Sequence, residues 1–167
     1  MALSMTNPRV QQLLAIVARA YDRKSWHGTN LRGSIRGLDP VVAARRPAAG
    51  RHNIWELVVH AAYWKYVVWR RLVGEKRGSF PLEGSNWFTR PAPGQAGPEA
   101  WKRDVALLGR THADLIDVVG GLADRDLDRK SRGASVSPFE LIAGVAAHDL
   151  YHAGQIQVIK RLVAGES

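Results

Sequence analysis

Four times along this chain a helix-opening signal stands in front of an apolar run of helical period. Asn7-Pro8 precedes Val10, Leu13, Leu14 and Val17, with proline at a position it suits. Asn53 and Glu56 make the N-x-x-E pattern of a capping box, in which side chain and backbone satisfy each other's orphan groups. Pro98-Glu99 opens a third run, closed by Gly120-Gly121. Ser137-Pro138-Phe139-Glu140 joins a cap, a first-position proline and a capping-box glutamate. These signals predict long helices from Pro8, from Asn53 to near Val73, from Pro98 to near Val119, and from Pro138 to near Ala164. The first pattern breaks at SWHGTN and resumes through Leu31, Ile35 and Leu38, after which Asp39-Pro40 opens a short helix ending before Pro47.

No segment alternates apolar and polar residues with β-branched enrichment, so the expected class is all-α. Four long helices point to a four-helix bundle. The Pro- and Gly-rich stretch 74–97 is long enough to cross its length, so the second and third long helices need not be antiparallel neighbours. A chain of 167 residues, 46% apolar, suits a single folded domain over 1–167. It holds no cysteine, so any metal must sit on histidine and carboxylate ligands. The start MALSMTNPRV lacks the features of a signal peptide, and LVVHAAYWKYVVW is too short to span a bilayer and is broken by His60 and Lys65. A cytoplasmic protein without membrane association is expected. The net charge of +9 is spread over scattered pairs such as Arg45-Arg46 and Lys160-Arg161, with no nucleic-acid-binding motif beside them. That pattern favours a small acidic substrate over nucleic acid.

Within the last apolar run, HDLYHAGQIQVIKRL places His148 and His152 four residues apart. At about 100° per residue they share one face with Leu141, Val145, Gln155, Ile159 and Leu162, so they are expected at the centre of the apolar stripe. Ala143, Ala146, Ala147 and Ala153 fall on the far side. On the second long helix, His60 lies on a face with Leu57, Trp64 and Val67. The opposite face, with Trp55, Tyr66 and Trp69, is also apolar, and calls for cover by the 74–97 connection or by a partner subunit in a homodimer. Two desolvated imidazoles one turn apart must each find a partner. A divalent cation is one solution, and packing with hydrogen bonds is the other.

The run W-E-L-V-V-H-A-A-Y-W over 55–64, followed by H-D-L-Y-H-A-G-Q over 148–155, resembles the DinB/YfiT-like superfamily of bacterial helical proteins. That family is unrelated to the DNA polymerase sharing the DinB name. The segment SWHGTNLRGSIRGLDPVVAARRP is also similar to its N-terminal half. The resemblance covers about Leu13 to Leu162. It implies an up-down-down-up bundle with the long crossover between the second and third long helices. It also implies a divalent ion, zinc or nickel, held by His60, His148 and His152, and a dimer. Characterised members include thiol S-transferases using bacillithiol or mycothiol and a mycothiol-dependent maleylpyruvate isomerase.

Three neutral imidazoles leave a divalent ion at least one open position, which a water or a thiol can take. The chemistry this permits is thiol transfer or hydrolysis, and a non-catalytic metal-binding stress protein is a further reading. Around the ligands, Glu56 lies one turn before His60 and Gln155 one turn beyond His152, while Trp64, Tyr63 and Tyr151 flank the same face. Trp26 and His27, at the break after the first helix, are expected to border the pocket. His52 is about 12 Å along the axis from His60, too far to share an ion with it, and His112 is expected to be a packed or surface residue.

Overall fold

A computed structural model describes residues 7–131 and 133–164. These are all-helical, with no strand among the described residues. In chain order the helices are α1 (Pro8–Tyr21), α2 (Leu31–Ser34), α3 (Pro40–Ala44), α4 (Ile54–Val73), α5 (Pro98–Gly120) and α6 (Pro138–Ala164), with single 3-10 turns at Pro93–Gln95 and Asp124–Asp126.

The starts follow from the local chemistry. Asn53 accepts from the Glu56 backbone at 2.8 Å while Glu56 reaches back to the Asn53 N–H, completing the capping box of α4. Ser137 and Glu140 exchange the same pair of bonds at the start of α6. Gly74 ends α4 with φ +76°, a left-handed conformation that glycine adopts without a Cβ penalty. At α1 the expected cap is not the real one. The Asn7 side chain makes no bond to its own helix. Instead Asp124, from the turn after α5, accepts from the Arg9 and Val10 backbone N–H groups at 3.1 and 2.9 Å. A carboxylate is favoured at a helix N-terminus, and here it comes from a residue more than a hundred positions away.

Four long helices pack around two buried apolar clusters. One contains Leu31, Trp55, Leu108 and Ile156; the other contains Val10, Leu115, Leu127 and Ile142. The second apolar face of α4 is covered from within the chain. Trp55 is fully buried, meets Trp101 edge-on at 5.3 Å, and donates its indole N–H to Asp104 at 2.6 Å, both partners being on α5. Tyr66 receives Ser79 and Phe80 of the connection. That face therefore gives no reason to require a partner subunit.

The buried stripe of α6 also differs from the expected one. Ile142, Val145, Ala146, Asp149, His152, Ala153, Ile156, Ile159 and Val163 are buried, an arc centred on Asp149 and Ile156 at about 100° per residue. His148 sits at the edge of this arc and Leu162 is 53% exposed. The reason is that α6 is packed by α1 and α2 as well as by α4, so Ala146 and Ala153 of its alanine side are core as well, while Ala147 stays exposed. The histidines thus face α4 rather than the middle of the interior. No described helix is long and apolar enough to cross a membrane.

Candidate metal centre

His60 projects from the middle of α4 and His148 and His152 from adjacent turns of α6. The Nε2 of His148 lies 3.1 Å from Nε2 of His60 and 3.0 Å from Nε2 of His152. Three ligand atoms that close, from two helices, could hold a metal ion. A tetrahedral ion with bonds of ~2.0–2.1 Å would space its nitrogens by roughly 3.3 Å, so little movement is needed.

The hydrogen bonds on the far side of the rings say which atoms face the centre. His60 Nδ1 lies 2.8 Å from the carbonyl of Asn86, and His152 Nδ1 lies 2.6 Å from Oε1 of Gln155. A carbonyl oxygen only accepts, so both Nδ1 atoms donate and both Nε2 atoms carry lone pairs. Those lone pairs point at the third Nε2. His148 can place at most one proton between them, and its own Nδ1 is buried without a partner. Two acceptors facing one another at this range is an unfavourable arrangement that a cation relieves. The donor set fits a divalent metal.

Electrostatics keep the rings neutral. Burial, with the neighbouring imidazoles opposing a further charge, pushes His148 down to about 3. Burial likewise lowers His60 to about 4 against the Asn86 bond, and lowers His152 against the Gln155 bond. Neutral imidazole is the form that ligates.

Of the other residues singled out by sequence, Gln155 bonds His152, and Trp64 meets His60 edge-on at 6.3 Å and His148 at 6.2 Å. Tyr151 is 64% exposed and lies 5.1 Å from the His152 ring. Tyr63 faces Phe80 and Phe88 of the connection, one layer back. Glu56 is buried but turned away: it holds Arg46 at 3.1 Å and His52 at 2.9 Å besides the helix start. Burial opposes its ionisation, but the bonds from Arg46 and His52 outweigh that and hold its carboxyl below the usual range. Trp26 is 97% exposed, and neither it nor His27 is among the residues in contact with the triad. His52 stays outside the triad, and His112 is buried against Tyr21 with centroids 3.7 Å apart.

Sequence reasoning missed two neighbours. Asn86 supplies the His60 carbonyl partner, and Trp87 stacks on His60 at 3.9 Å with planes 9° apart. Both lie in an irregular connection, where no periodicity assigns a direction to a side chain. It also missed Lys65 and Asp149, which form an ion pair with both side chains fully buried, one residue along from His148.

Beside His152, a cavity of ≈ 490 Å³ opens to the surface, lined by Leu57, Trp87, Val158 and Ile159 with Arg51 and His52 also on its wall. A smaller one of ≈ 170 Å³ lies beside Trp64 and His148.

A family model of the DinB superfamily matches residues 24–156. The chain belongs to the DinB superfamily. The match takes in all of α4 and α6 as far as Ile156, and so includes all three histidines. No curated protein and no solved structure matches the chain.

Proposed function

We propose that this DinB-superfamily protein is a metal-dependent enzyme whose three histidines hold a divalent cation, zinc or nickel, and which transfers a low-molecular-weight thiol to a small electrophile. The observation that carries the reading is the convergence of three imidazole lone-pair positions beside an open, mostly apolar cavity. A purely structural ion would be closed by a fourth protein ligand. Among the described residues no carboxylate joins the three imidazoles.

A bound cation supplies Lewis acidity, favouring the thiolate of a thiol presented to it. The chain does the rest. Gln155 and the Asn86 carbonyl hold two imidazoles with Nε2 turned inward. Leu57, Val158, Ile159 and Trp87 offer apolar surface to the electrophile, and Arg51 offers a cation to a carboxylate on either reactant. In the transfer, a sulfur–carbon bond forms, the bond to the leaving group breaks, and the thiol proton passes to solvent.

Hydrolysis is the second reading, and the state of Glu56 weighs against it. A hydrolase gains from a free carboxylate as general base. The acid one turn from His60 is committed to Arg46, His52 and the helix start. Contacts near the N-termini of α4 and α5 (Trp55 with Trp101), and of α4's start with α6's end around Leu57 and Ile159, support the up-down-down-up bundle as the frame. A cytoplasmic setting, where small thiols are plentiful, completes the proposal.

The test uses protein purified without a histidine tag. Metal content is measured first, then bacillithiol, mycothiol and glutathione are titrated against metal-loaded and metal-free forms. We expect one cation per chain and thiol binding only in the loaded form. Activity on esters or amides with no thiol present, and no metal-dependent thiol binding, would replace transfer by hydrolysis.

A further inference from the structure

Two of the three imidazoles are placed by α6 alone, since His148 and His152 stand one turn apart on a regular helix. His60 arrives from another element, and its ring must be aimed. The groups that aim it come from an irregular stretch of the connection. The Asn86 carbonyl accepts from His60 Nδ1 at 2.8 Å. Asn86 sits at φ +65°, a left-handed conformation that asparagine tolerates better than most residues. Its side chain is tethered in turn, because the Trp64 indole N–H donates to Asn86 Oδ1 at 2.9 Å.

Trp87 then lies flat between two imidazoles. One face is on His60 at 3.9 Å and 9°, the other on His52 at 3.6 Å and 5°. His52 is fixed by Glu56, the capping-box residue of α4. Glu56, His60 and Trp64 recur every four positions and form a ridge on the first half of α4, and His52, just ahead of the helix, extends that row through its bond to Glu56. The connection is clasped by that ridge at each end of a two-residue segment, and His60 is held in the middle of the clasp. Trp87 at the same time walls the cavity beside His152.

We infer that Asn86 and Trp87 are positioning residues of the metal centre: the segment fixes the His60 ring in the Nδ1–H tautomer with Nε2 aimed at the ion, so that the third ligand is assembled by the connection and not by the helices alone. The inference rests on the reading of the triad as a metal site. It goes beyond that reading in assigning the affinity and geometry of the site to residues outside the two ligand-bearing helices.

The test uses the full chain, Co²⁺ as the probe, and Trp64→Phe, Trp87→Ala and Trp87→Phe. Trp64→Phe keeps the ring and removes the donor to Asn86; Trp87→Ala removes the stack; Trp87→Phe restores an aromatic face. Co²⁺ affinity is measured by competition with a chelator, coordination by the visible absorption of the bound ion, and the His60 tautomer by imidazole nitrogen NMR of metal-free protein. Circular dichroism of each metal-free variant reports that the helices are formed. We expect Trp64→Phe and Trp87→Ala to bind Co²⁺ about 10–100-fold more weakly, as loss of groups behind a ligand typically does, with altered absorption and a mixed His60 tautomer. Trp87→Phe should recover most of the affinity. Affinity within about threefold of wild type in both weakened variants, with an unchanged spectrum, overturns the inference and leaves the metal site standing. Failure of the wild-type chain to bind Co²⁺ removes both.

Discussion

Lys65 and Asp149 offer the sharpest quantitative test of how this interior is held together. Both side chains are completely buried, and they are hydrogen-bonded to each other across α4 and α6. The Lys65 ammonium also lies 4.9 Å from the Tyr21 ring, while Asp149 Oδ1 has no partner. The pair separates the two apolar clusters, falling between Ala62 and Val68 on α4 and between Ala146 and Ile156 on α6. Lys65→Met keeps the length of the side chain and removes its charge. It strands a carboxylate with no water and no cation, which costs about 3–5 kcal/mol when a buried pair loses one member. Against a total stability of roughly 5–15 kcal/mol, that is about a fifth or more of the whole. In a chain of this size it corresponds to a fall in Tm of very roughly 6–20 °C. Asp149→Leu should do comparable damage by stranding the ammonium. The double variant removes both desolvated charges and should recover most of the loss, because apolar replacement of a whole buried pair is often neutral or better. Urea unfolding of the four proteins closes the cycle. A cost below about 1 kcal/mol for Lys65→Met, or a double variant as unstable as the sum of the singles, would refute the argument that the charges depend on each other.

Three further outcomes follow from particular contacts. Substitution of His60, His148 or His152 by alanine should each abolish stoichiometric metal, whereas His52→Ala should leave it bound, more weakly; full occupancy in two of the three triad variants, read by elemental analysis, contradicts the assignment. Asn53→Ala removes the α4 cap and the bond from Asn53 to the Ala44 carbonyl, and should cost about 0.5–2 kcal/mol in urea unfolding; no measurable cost means the cap is replaced by solvent. His112 is pushed down to about 3 by burial and by Lys65 of α4, while Tyr21 of α1, raised to about 12 by burial, faces it uncharged and Asp22 and Arg32 stand at the mouth of the same cavity. Its folded value lies below its unfolded value, so its contribution is whole above pH ~6.5 and is lost as pH falls from there towards about 3. His112→Phe keeps the stack on Tyr21 and removes that loss, so its acid unfolding midpoint should move to lower pH; an unchanged midpoint by circular dichroism contradicts the burial argument.

The helices were legible because their ends carry chemistry at fixed offsets. Capping requires a side-chain acceptor and a reciprocal glutamate three residues on, and Asn53/Glu56 and Ser137/Glu140 both behave as that spacing demands. The His148–His152 pair was legible for a related reason, since four-residue spacing on a helix is proximity, whereas His60 as their companion came only from the resemblance to the DinB family. Legibility stopped where partners come from elsewhere. Asp124 capping α1 from after α5 has no local signature, so Asn7 was the natural and incorrect choice. The buried arc of α6 was misplaced because hydrophobic periodicity weighs large side chains, while Ala146 and Ala153 make close-packed core without adding to it. Lys65 reads as a break in an apolar run until Asp149, 84 residues on, supplies its counter-charge.

The placement of the triad at the edge of the buried arc, rather than at its centre, resolves a conflict between two demands on the same histidines. Full burial would keep the imidazoles neutral and their lone pairs free of water, but would close the approach of any reactant. Full exposure would leave them protonated in mild acid and hydrogen-bonded to solvent. At the edge, His60 and His152 are 5% and 4% exposed, yet a cavity reaches His152 and Trp87. An edge position has a cost: helix packing alone no longer fixes the rings on every side. His152 meets that cost with Gln155 from its own helix, and His60 with Asn86 and Trp87 from the connection. The connection between α4 and α5 meets α4 at two levels. Its path along α4 covers Tyr66 with Ser79 and Phe80, then returns to the level of His60, where its backbone becomes part of the site.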